Sequence, residues 1–114
     1  MERRQHRREL ITLPCFLELA SGHSFQGHTQ DIGLGGAFMR GHGFAHKTKG
    51  AKVGDVGVFT LHFKKRRKNA SLRMRCYVAH VRPRSVGLRT NYEDLPEAAR
   101  LTLERLLASG GNIK

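Results

Sequence analysis

The sequence predicts a mainly β protein, a small six-stranded antiparallel barrel with one α-helix at its C-terminal end. Three observations lead to this prediction: several short segments alternate between apolar and polar residues, 13 glycines separate them, and one amphipathic segment closes the chain. At 114 residues the chain is long enough for one domain and not for two. Short alternating strands joined by turns are typical of barrels, and we expect the helix to plug or flank this one.

The strands are predicted from alternation with a period of two residues. The predicted strands and extended segments are residues 10–20, 25–31, 37–40, 56–63, 72–78 and 86–90. In the first of them, Leu13, Cys15, Leu17 and Leu19 share one face. The run of basic residues 64–68 separates two alternating segments, which predicts the tip of a hairpin. Residues 41–55 contain four glycines among His and Lys, which predicts a long surface loop.

The C-terminal segment carries the signature of a helix start. Asp94 is a candidate N-cap, with Pro96 in the first turn and Glu97 three residues after the cap. An apolar stripe follows at helical spacing, and Gly110 ends it. The predicted organisation is therefore a flexible basic arm (residues 1–9), a barrel (10–92), a C-terminal helix (93–109) and a short tail (110–114).

The charge of the chain indicates an anionic partner. Lys and Arg number 21 against 9 Asp and Glu, which gives a net charge of +12. Ten of the 21 basic residues lie between Lys64 and Arg89, where there is no acidic residue, and four more lie in the arm. We expect one side of the domain to be much more positive than the helix side, and the partner to be a nucleotide, a nucleic acid or an acidic surface.

Other function classes find no support in the sequence. No apolar run approaches the ~20 residues that a membrane helix needs, so we expect no membrane insertion and a cytoplasmic location. Cys15 and Cys76 lack CxxC spacing and are expected to be buried free thiols in a reducing compartment. His42 and His46 lie in a glycine-rich loop, so no metal site is predicted. No activated nucleophile with a base is apparent, and we do not expect an enzyme.

Two segments could together bind a guanine nucleotide. The planar guanidinium of arginine matches phosphate oxygens and the O6/N7 edge of guanine, and the arm holds four arginines. In residues 31–36, the carboxylate of Asp31 can accept hydrogen bonds from guanine N–H groups, and the glycines let a ligand approach the backbone. The alternative interpretation is a solvated tail and an ordinary β-turn. The residues alone leave both open.

The order and spacing of these segments resemble a known family. Residues 4–8 (RQHRR) fit the motif RxxxR, and residues 31–36 (DIGLGG) fit [DN]xSxxG except at one position. One strand and a turn lie between them, and VGD (53–55), CYVAHV (76–81) and VGLR (86–89) follow before the C-terminal helix. This pattern is similar to that of the PilZ domain, the bacterial receptor module for cyclic di-GMP, over nearly the whole chain.

The resemblance implies specific ligand contacts. Arg4 and Arg8 would contact the phosphates and stack on or bond to the guanines, while Asp31 and the turn through Gly36 would hold a guanine edge. In this family an Arg directly before RxxxR, here Arg3, goes with two stacked ligand molecules. Arg3 and Arg7 also fit RxxxR, so the register is ambiguous. The resemblance favours Arg4 and Arg8, since the order Glu-Arg-Arg-Gln is similar to common members.

The sequence departs from the family pattern at Gly33, where the motif has Ser. One side-chain hydroxyl contact is therefore absent, and a neutral hydrogen bond contributes about 0.5–1.5 kcal/mol, or about 2- to 13-fold in affinity. Glu9, which follows Arg8 where an apolar residue is usual, is a second departure. Its charge could compete for the arginines. We expect weakened binding rather than none.

The leading hypothesis is a stand-alone PilZ receptor that binds cyclic di-GMP as a ligand, needs no cofactor and signals to a separate effector protein. We expect a monomer or a weak dimer. The first alternative is a degenerate PilZ adaptor that acts through protein contacts without nucleotide. The second is a basic nucleic-acid-binding barrel, although the absence of Trp leaves few stacking platforms. Residues 64–68 could be a solvated hairpin tip, a nucleic-acid patch or a docking surface for an acidic partner.

Overall fold

The computed structural model describes residues 7–114, which form eight strands and one α-helix. The strands are β1 (Arg8–Glu9), β2 (Pro14–Leu19), β3 (Ser24–Gly33), β4 (Gly36–Gly41), β5 (Val56–Lys65), β6 (Lys68–Arg82), β7 (Ser85–Thr90) and β8 (Asn112–Ile113). The helix α1 spans Glu97–Ala108, and a short 3-10 helix, Tyr92–Asp94, precedes it. No helix within the described range is long and apolar enough to cross a membrane.

The six longer strands close into a barrel. They are hydrogen-bonded in the order β3-β2-β5-β6-β7-β4, and β4 pairs again with β3. Every pair in this cycle is antiparallel. Because the cycle is closed, these six strands leave no unpaired edge. The predicted fold class, a six-stranded antiparallel barrel with a C-terminal helix, is confirmed.

Alternation along the strands places one apolar set inside the barrel, as predicted. Leu17, Phe59, Leu61 and Val78 from β2, β5 and β6 are completely buried. From α1, Leu103 and Leu106 join the same apolar cluster, which explains why a helix with an apolar stripe follows the barrel. The inward positions of β2 and β6 also hold the two cysteines, which are free and buried as predicted. Burial raises the pKa of Cys15 to about 12 and that of Cys76 to about 11.

Residues 42–55 form a loop that is mostly exposed, as predicted, but two of its apolar side chains, Phe44 and Ala51, belong to the core. Phe44 is completely buried, and its ring lies 4.9 Å from that of Phe25, centroid to centroid. The Ala51 amide donates to the Phe44 carbonyl at 2.7 Å and folds the loop back on itself. The sequence did not predict this anchoring, because glycine, histidine and lysine dominate the composition of the loop.

The start of the helix also differs from the prediction, because Asp94 does not cap it. The side-chain oxygen of Asn91 accepts from the Glu93 amide and caps the 3-10 helix instead. The helix α1 then begins at Glu97, with Pro96 in the N-cap position. The residue before a proline avoids the α conformation, and Leu95 is accordingly extended, with φ −76° and ψ 141°. The proline therefore separates the two helices.

Both ends of the described chain pair with the barrel. Arg8 and Glu9, the last residues of the predicted arm, form β1 and pair with Gly33 and Ile32 of β3. This end of the arm is part of the sheet, whereas residues 1–6 lie outside the described part of the chain. Within the predicted tail, β8 runs parallel to β5. The pairing of β1 positions the candidate site.

Candidate functional site

The candidate site forms where β1 meets β3. Arg8 Nη1 donates to Asp31 Oδ1 at 3.0 Å, and the side chains of the two residues are only 15% and 17% exposed. A bulge places Asp31 on the outer surface of the barrel. Thr29 is buried, and the register of β3 with β4 shifts between Thr29 and Asp31, so the next inward residue is Ile32. A β-bulge re-aims side chains in this way, and without it Asp31 would point inward.

The hydroxyl of Thr29 fixes the chain that leads from β1 to β2. It donates to the Ile11 carbonyl at 2.6 Å and accepts from the Leu13 amide at 2.8 Å. The Thr29 amide in turn donates to the Leu13 carbonyl at 2.9 Å. The first two bonds satisfy the buried hydroxyl, and all three hold residues 11–13 against β3. They consequently fix the position from which β1, and with it Arg8, approaches Asp31.

Two glycines allow Arg8 to lie directly on the sheet. A Cβ atom at Gly33 would lie 2.7 Å from the Arg7 carbonyl oxygen and 3.1 Å from Arg8 Cγ. A Cβ atom at Gly36 would lie 2.2 Å from the Leu88 carbonyl oxygen and 3.1 Å from Arg8 Nη2. Both distances to backbone oxygen are shorter than a side chain tolerates. The glycines therefore make room for β1 and for the guanidinium.

An aromatic pair continues the site across the barrel. The Arg8 guanidinium carbon lies 5.4 Å from the centre of the Phe38 ring, within the range of a cation–π contact. The rings of Phe38 and His80 lie 6.2 Å apart, with an angle of 7° between their planes. Between them is Gly87, where a Cβ atom would approach His80 to 3.0 Å and Phe38 to 3.2 Å. Because residue 87 has no side chain, the two rings can stack over it.

Four of the sequence-predicted site residues come together here: Arg8, Asp31, Gly33 and Gly36. Arg3 and Arg4 lie outside the described residues. Arg7, the alternative end of the RxxxR motif, points away from the site. Its side chain is 90% exposed and its Nε lies 3.4 Å from Glu9 Oε1. The geometry therefore favours Arg8 over Arg7 as the arginine that belongs to this site. Glu9 pairs with Arg7 and leaves Arg8 to Asp31.

Sequence reasoning missed three further residues near the site: Phe38, His80 and Arg89. Alternation could have indicated Phe38, because its neighbours Ala37 and Met39 are both inward-facing. Arg89 lies directly opposite Gly36 in the β4–β7 pair and is exposed. Nothing in the sequence indicated that His80 faces outward. Its outward direction depends on a register shift between Val78 and His80.

The arrangement is suited to an anionic ligand that carries an aromatic ring. Asp31 supplies hydrogen-bond acceptors, and the guanidinium of Arg8 has several N–H donors of which one is used by Asp31. The exposed guanidinium of Arg89 adds positive charge opposite Gly36. Phe38 and His80 offer ring faces. A separate open groove of about 670 Å³, lined by residues that include Pro14, Phe16 and His62, contains none of the predicted site residues.

A family model of the PilZ domain matches residues 2–109, which is nearly the whole chain. The chain belongs to the PilZ domain family. PilZ domains are receptor and adaptor domains rather than enzymes. No curated protein matches this chain significantly.

Solved PilZ structures share the fold at low sequence identity. The PilZ domain of YcgR from Escherichia coli, solved with c-di-GMP, superposes with a TM-score of 0.75 at 12% identity, over 96% of this chain and 92% of that one. The PilZ domain of CeSA from a cellulose-synthesizing bacterium gives 0.62 at 15% identity, over 90% and 96%. MotI/DgrA, the Bacillus subtilis inhibitor of motility, gives 0.74 at 11% identity and covers 96% of this chain. This chain spans only 51% of MotI/DgrA.

Proposed function

We propose that this PilZ domain is a receptor that binds cyclic di-GMP at the Arg8–Asp31 site and passes the signal to a partner protein. The observation that carries the proposal is the partly buried Arg8–Asp31 pair, 3.0 Å between Nη1 and Oδ1, packed over two glycines that leave room for the arginine. The E. coli YcgR PilZ domain, which shares the fold, was solved with c-di-GMP. Membership of the family supports the same ligand class here.

Each part of the site has a role toward this ligand. Arg8, with Arg4 from the same motif, binds phosphate oxygens and stacks on a guanine, since the guanidinium plane suits both. Asp31 accepts hydrogen bonds from a guanine N–H edge. Gly33 and Gly36 leave the space in which Arg8 lies against the sheet. Arg3 extends the arginine cluster and is expected to favour a second, stacked ligand molecule. Phe38 and His80 add apolar ring surface beside Arg8.

The Arg8–Asp31 ion pair affects the expected affinity for cyclic di-GMP. Asp31 is already engaged by Arg8 without ligand, so a guanine edge must share or replace that contact. Together with the missing hydroxyl at residue 33, this places the expected affinity below that of a domain with the complete motif. The pair also holds Arg8 at the site before the ligand arrives, which reduces the entropy lost on binding.

Calorimetric titration with cyclic di-GMP at about 0.15 M salt tests the proposal. The wild-type domain is expected to bind saturably. The variants Arg4→Ala/Arg8→Ala and Asp31→Ala should each have at least about tenfold lower affinity, because each removes a charged hydrogen-bonding group. Arg100→Ala/Arg105→Ala on α1 removes two positive charges outside the site and is the control for the arginine double variant. If wild type does not bind at high concentrations of both components, the receptor function is wrong and the adaptor function replaces it.

The adaptor alternative has one supporting observation of its own. The Arg8–Asp31 pair satisfies the site without a ligand, as would be needed in a domain that binds only protein. MotI/DgrA, which shares the fold, is an inhibitor of motility, and a regulatory role of this kind fits either function. Under the adaptor function, Arg8→Ala and Asp31→Ala leave partner binding unchanged.

A further inference from the structure

An apolar patch is exposed on the barrel next to the candidate site. Val53, Val56 and Tyr77 are 69%, 59% and 48% exposed, and they are three of the five large apolar residues that are strongly exposed within residues 7–114. Val56 and Tyr77 are direct register partners in the β5–β6 pair. Val58, half-buried, follows Val56 on the same outer face. We call these four residues the valine–tyrosine patch.

The backbone beneath the valine–tyrosine patch is held in place. The turn that carries Val53 bonds to β6 through the Gly54 amide, which donates to the Val78 carbonyl at 2.8 Å. The Val78 amide donates back to the Asp55 carbonyl at 2.8 Å. These bonds attach Val53 to β6 one residue from Tyr77. A surface whose backbone is already fixed loses little conformational entropy when a partner binds.

Arginines border the patch on two sides. Arg75 is the register partner of Val58, and Arg89 is the register partner of Tyr77. Both are exposed, and neither forms an ion pair with any residue in the described part of the chain. Two acids also lie at the patch: Glu18 is the register partner of Val58, and Asp55 lies between Val53 and Val56 in the chain. Glu18 lies 4.0 Å from Arg73, and the Asp55 carboxylate accepts from the Lys52 amide at 2.9 Å.

We propose that the valine–tyrosine patch is a docking surface for an acidic protein segment that presents apolar side chains between its carboxylates. Tyr and Arg around a small apolar centre are the residues that contribute most to protein interfaces. Three of the four patch residues are valines, which offer aliphatic area for Leu or Phe, and Tyr77 is the one ring on which a nucleobase could stack, so protein is favoured over nucleic acid. The exposed charges of Arg75 and Arg89 complement a partner of negative charge.

This docking surface rests on the proposed function, in which it is the surface that contacts the partner protein. Tyr77, Arg89 and Gly36 are consecutive register partners across β6, β7 and β4. Strands in a sheet lie about 4.8 Å apart, so Gly36 is about 10 Å from Tyr77. A ligand above Gly36 therefore lies beside the border of the docking surface, at Arg89. We expect the nucleotide-free domain to bind the acidic segment, so docking does not require cyclic di-GMP.

Peptide titration followed by NMR amide shifts tests the docking surface. The probe is an eight-residue peptide in which Asp or Glu alternates with Leu and Phe. One control peptide has Ser in place of Leu and Phe, and another has Lys in place of the acids. We expect the probe to bind at least about tenfold more tightly than either control, with the largest shifts at Val53, Val56, Tyr77 and Arg89. Cyclic di-GMP is titrated separately into the same sample, so failure of either binding event is recorded independently.

Surface variants complete the test. Tyr77→Ser, and Val53→Ser as a second variant in the turn, should weaken probe binding at least about fivefold. Leu101→Ser on α1 is the matched control, since Leu101 is also 48% exposed, and it should leave binding unchanged. The proposal is overturned by an absence of binding at millimolar peptide, by equal binding of the Ser control peptide, or by shifts centred on residues 64–68. Tighter, Tyr77-dependent binding of a single-stranded oligonucleotide would overturn it in favour of nucleic acid.

Discussion

Arg8 and Asp31 are 23 residues apart in the sequence and form the one ion pair of the described chain in which both side chains are largely shielded from water. Their contact joins β1 to the outer face of β3 beside Phe38. An ion pair in this setting is stronger than one on the open surface, because water screens it less. It therefore connects the stability of the domain to the integrity of its candidate site.

The coupling between these two residues can be measured. Arg8→Ala and Asp31→Ala should each lower the free energy of unfolding by about 1–2 kcal/mol, because each leaves a partly buried charge without its partner. In the double variant the losses should overlap, with a coupling energy of about 1 kcal/mol in a double-mutant cycle by urea unfolding. Arg7→Ala, at an exposed position, should change stability by less than about 0.5 kcal/mol. Strictly additive losses would show that the pair contributes nothing.

Gly33 can be replaced in two ways that separate sterics from hydrogen bonding. Gly33→Ala and Gly33→Ser both add a Cβ atom that would lie 2.7 Å from the Arg7 carbonyl oxygen, so both should displace β1 and lower the free energy of unfolding by about 1–3 kcal/mol. Only Ser adds a hydroxyl. In calorimetry with cyclic di-GMP, the Ser variant should bind about 2- to 13-fold more tightly than the Ala variant. Equal affinities would mean that the hydroxyl at this position makes no ligand contact.

The hairpin between β5 and β6 has a turn that its sequence does not favour. Arg66 and Arg67 connect the paired residues Lys65 and Lys68 with φ values of 51° and 67°. The left-handed region is unfavourable for residues with a Cβ atom, and Asn-Gly is the preferred pair in such a turn. Arg66→Asn/Arg67→Gly should therefore raise the free energy of unfolding by about 1–2 kcal/mol.

The control for the hairpin is Arg66→Gln/Arg67→Gln, which removes the same charge but keeps both Cβ atoms. Urea unfolding should show little gain for this variant. If the Gln pair stabilises the domain as much as Asn-Gly does, charge repulsion in the basic tip, and not backbone conformation, is the origin of the effect.

The buried thiols predict a loss of stability at high pH. Burial raises the pKa of Cys15 to about 12 and that of Cys76 to about 11, against 9.0 for a free thiol. Above pH 9 the unfolded chain loses thiol protons that the folded domain keeps, so unfolding becomes easier as the pH rises. The contribution is fully present below pH 9 and falls by about 1 kcal/mol per thiol between pH 9 and pH 10.

The measurement for the thiols is urea unfolding at pH 8, 9 and 10 in the presence of reductant. Cys15→Ala/Cys76→Ala serves as the reference, because lysines and tyrosines titrate equally in both proteins. The difference in unfolding free energy between the two proteins should shrink as the pH rises. A constant difference would show that the thiols are accessible in the folded state.

The sequence predicted the barrel because a closed sheet has one inner face, and its alternation is visible in residues such as Leu17, Phe59 and Leu61. It also predicted Arg8, Asp31, Gly33 and Gly36 as neighbours through the family motifs. The aromatic pair could not be predicted in the same way. Strict alternation from Val78 would turn His80 inward, and a register shift in the β6–β7 pair turns it outward. Bulges arise from pairing between strands, and local sequence carries little trace of them.

The burial of Phe44 illustrates a second limit of prediction from sequence. Loop composition indicates exposure on average, but a single aromatic side chain can anchor a loop through contacts with a distant strand, here with Phe25 of β3. Such contacts depend on the tertiary arrangement. The docking surface at Val56 and Tyr77 has the same origin, since the two residues become neighbours only through the register of β5 with β6.

The most direct test of the receptor function compares two neighbouring arginines. Cyclic di-GMP is titrated calorimetrically into wild type, Arg8→Ala and Arg7→Ala at about 0.15 M salt. Each variant loses one positive charge, and the two positions are adjacent in the chain. A difference in affinity between the variants therefore reflects the position of the arginine and not the net charge. Arg8→Ala should weaken binding at least about tenfold, whereas Arg7→Ala should change it less than about threefold. Equal affinity of the two variants, or binding lost only in Arg7→Ala, would contradict the assignment of Arg8 to the ligand site.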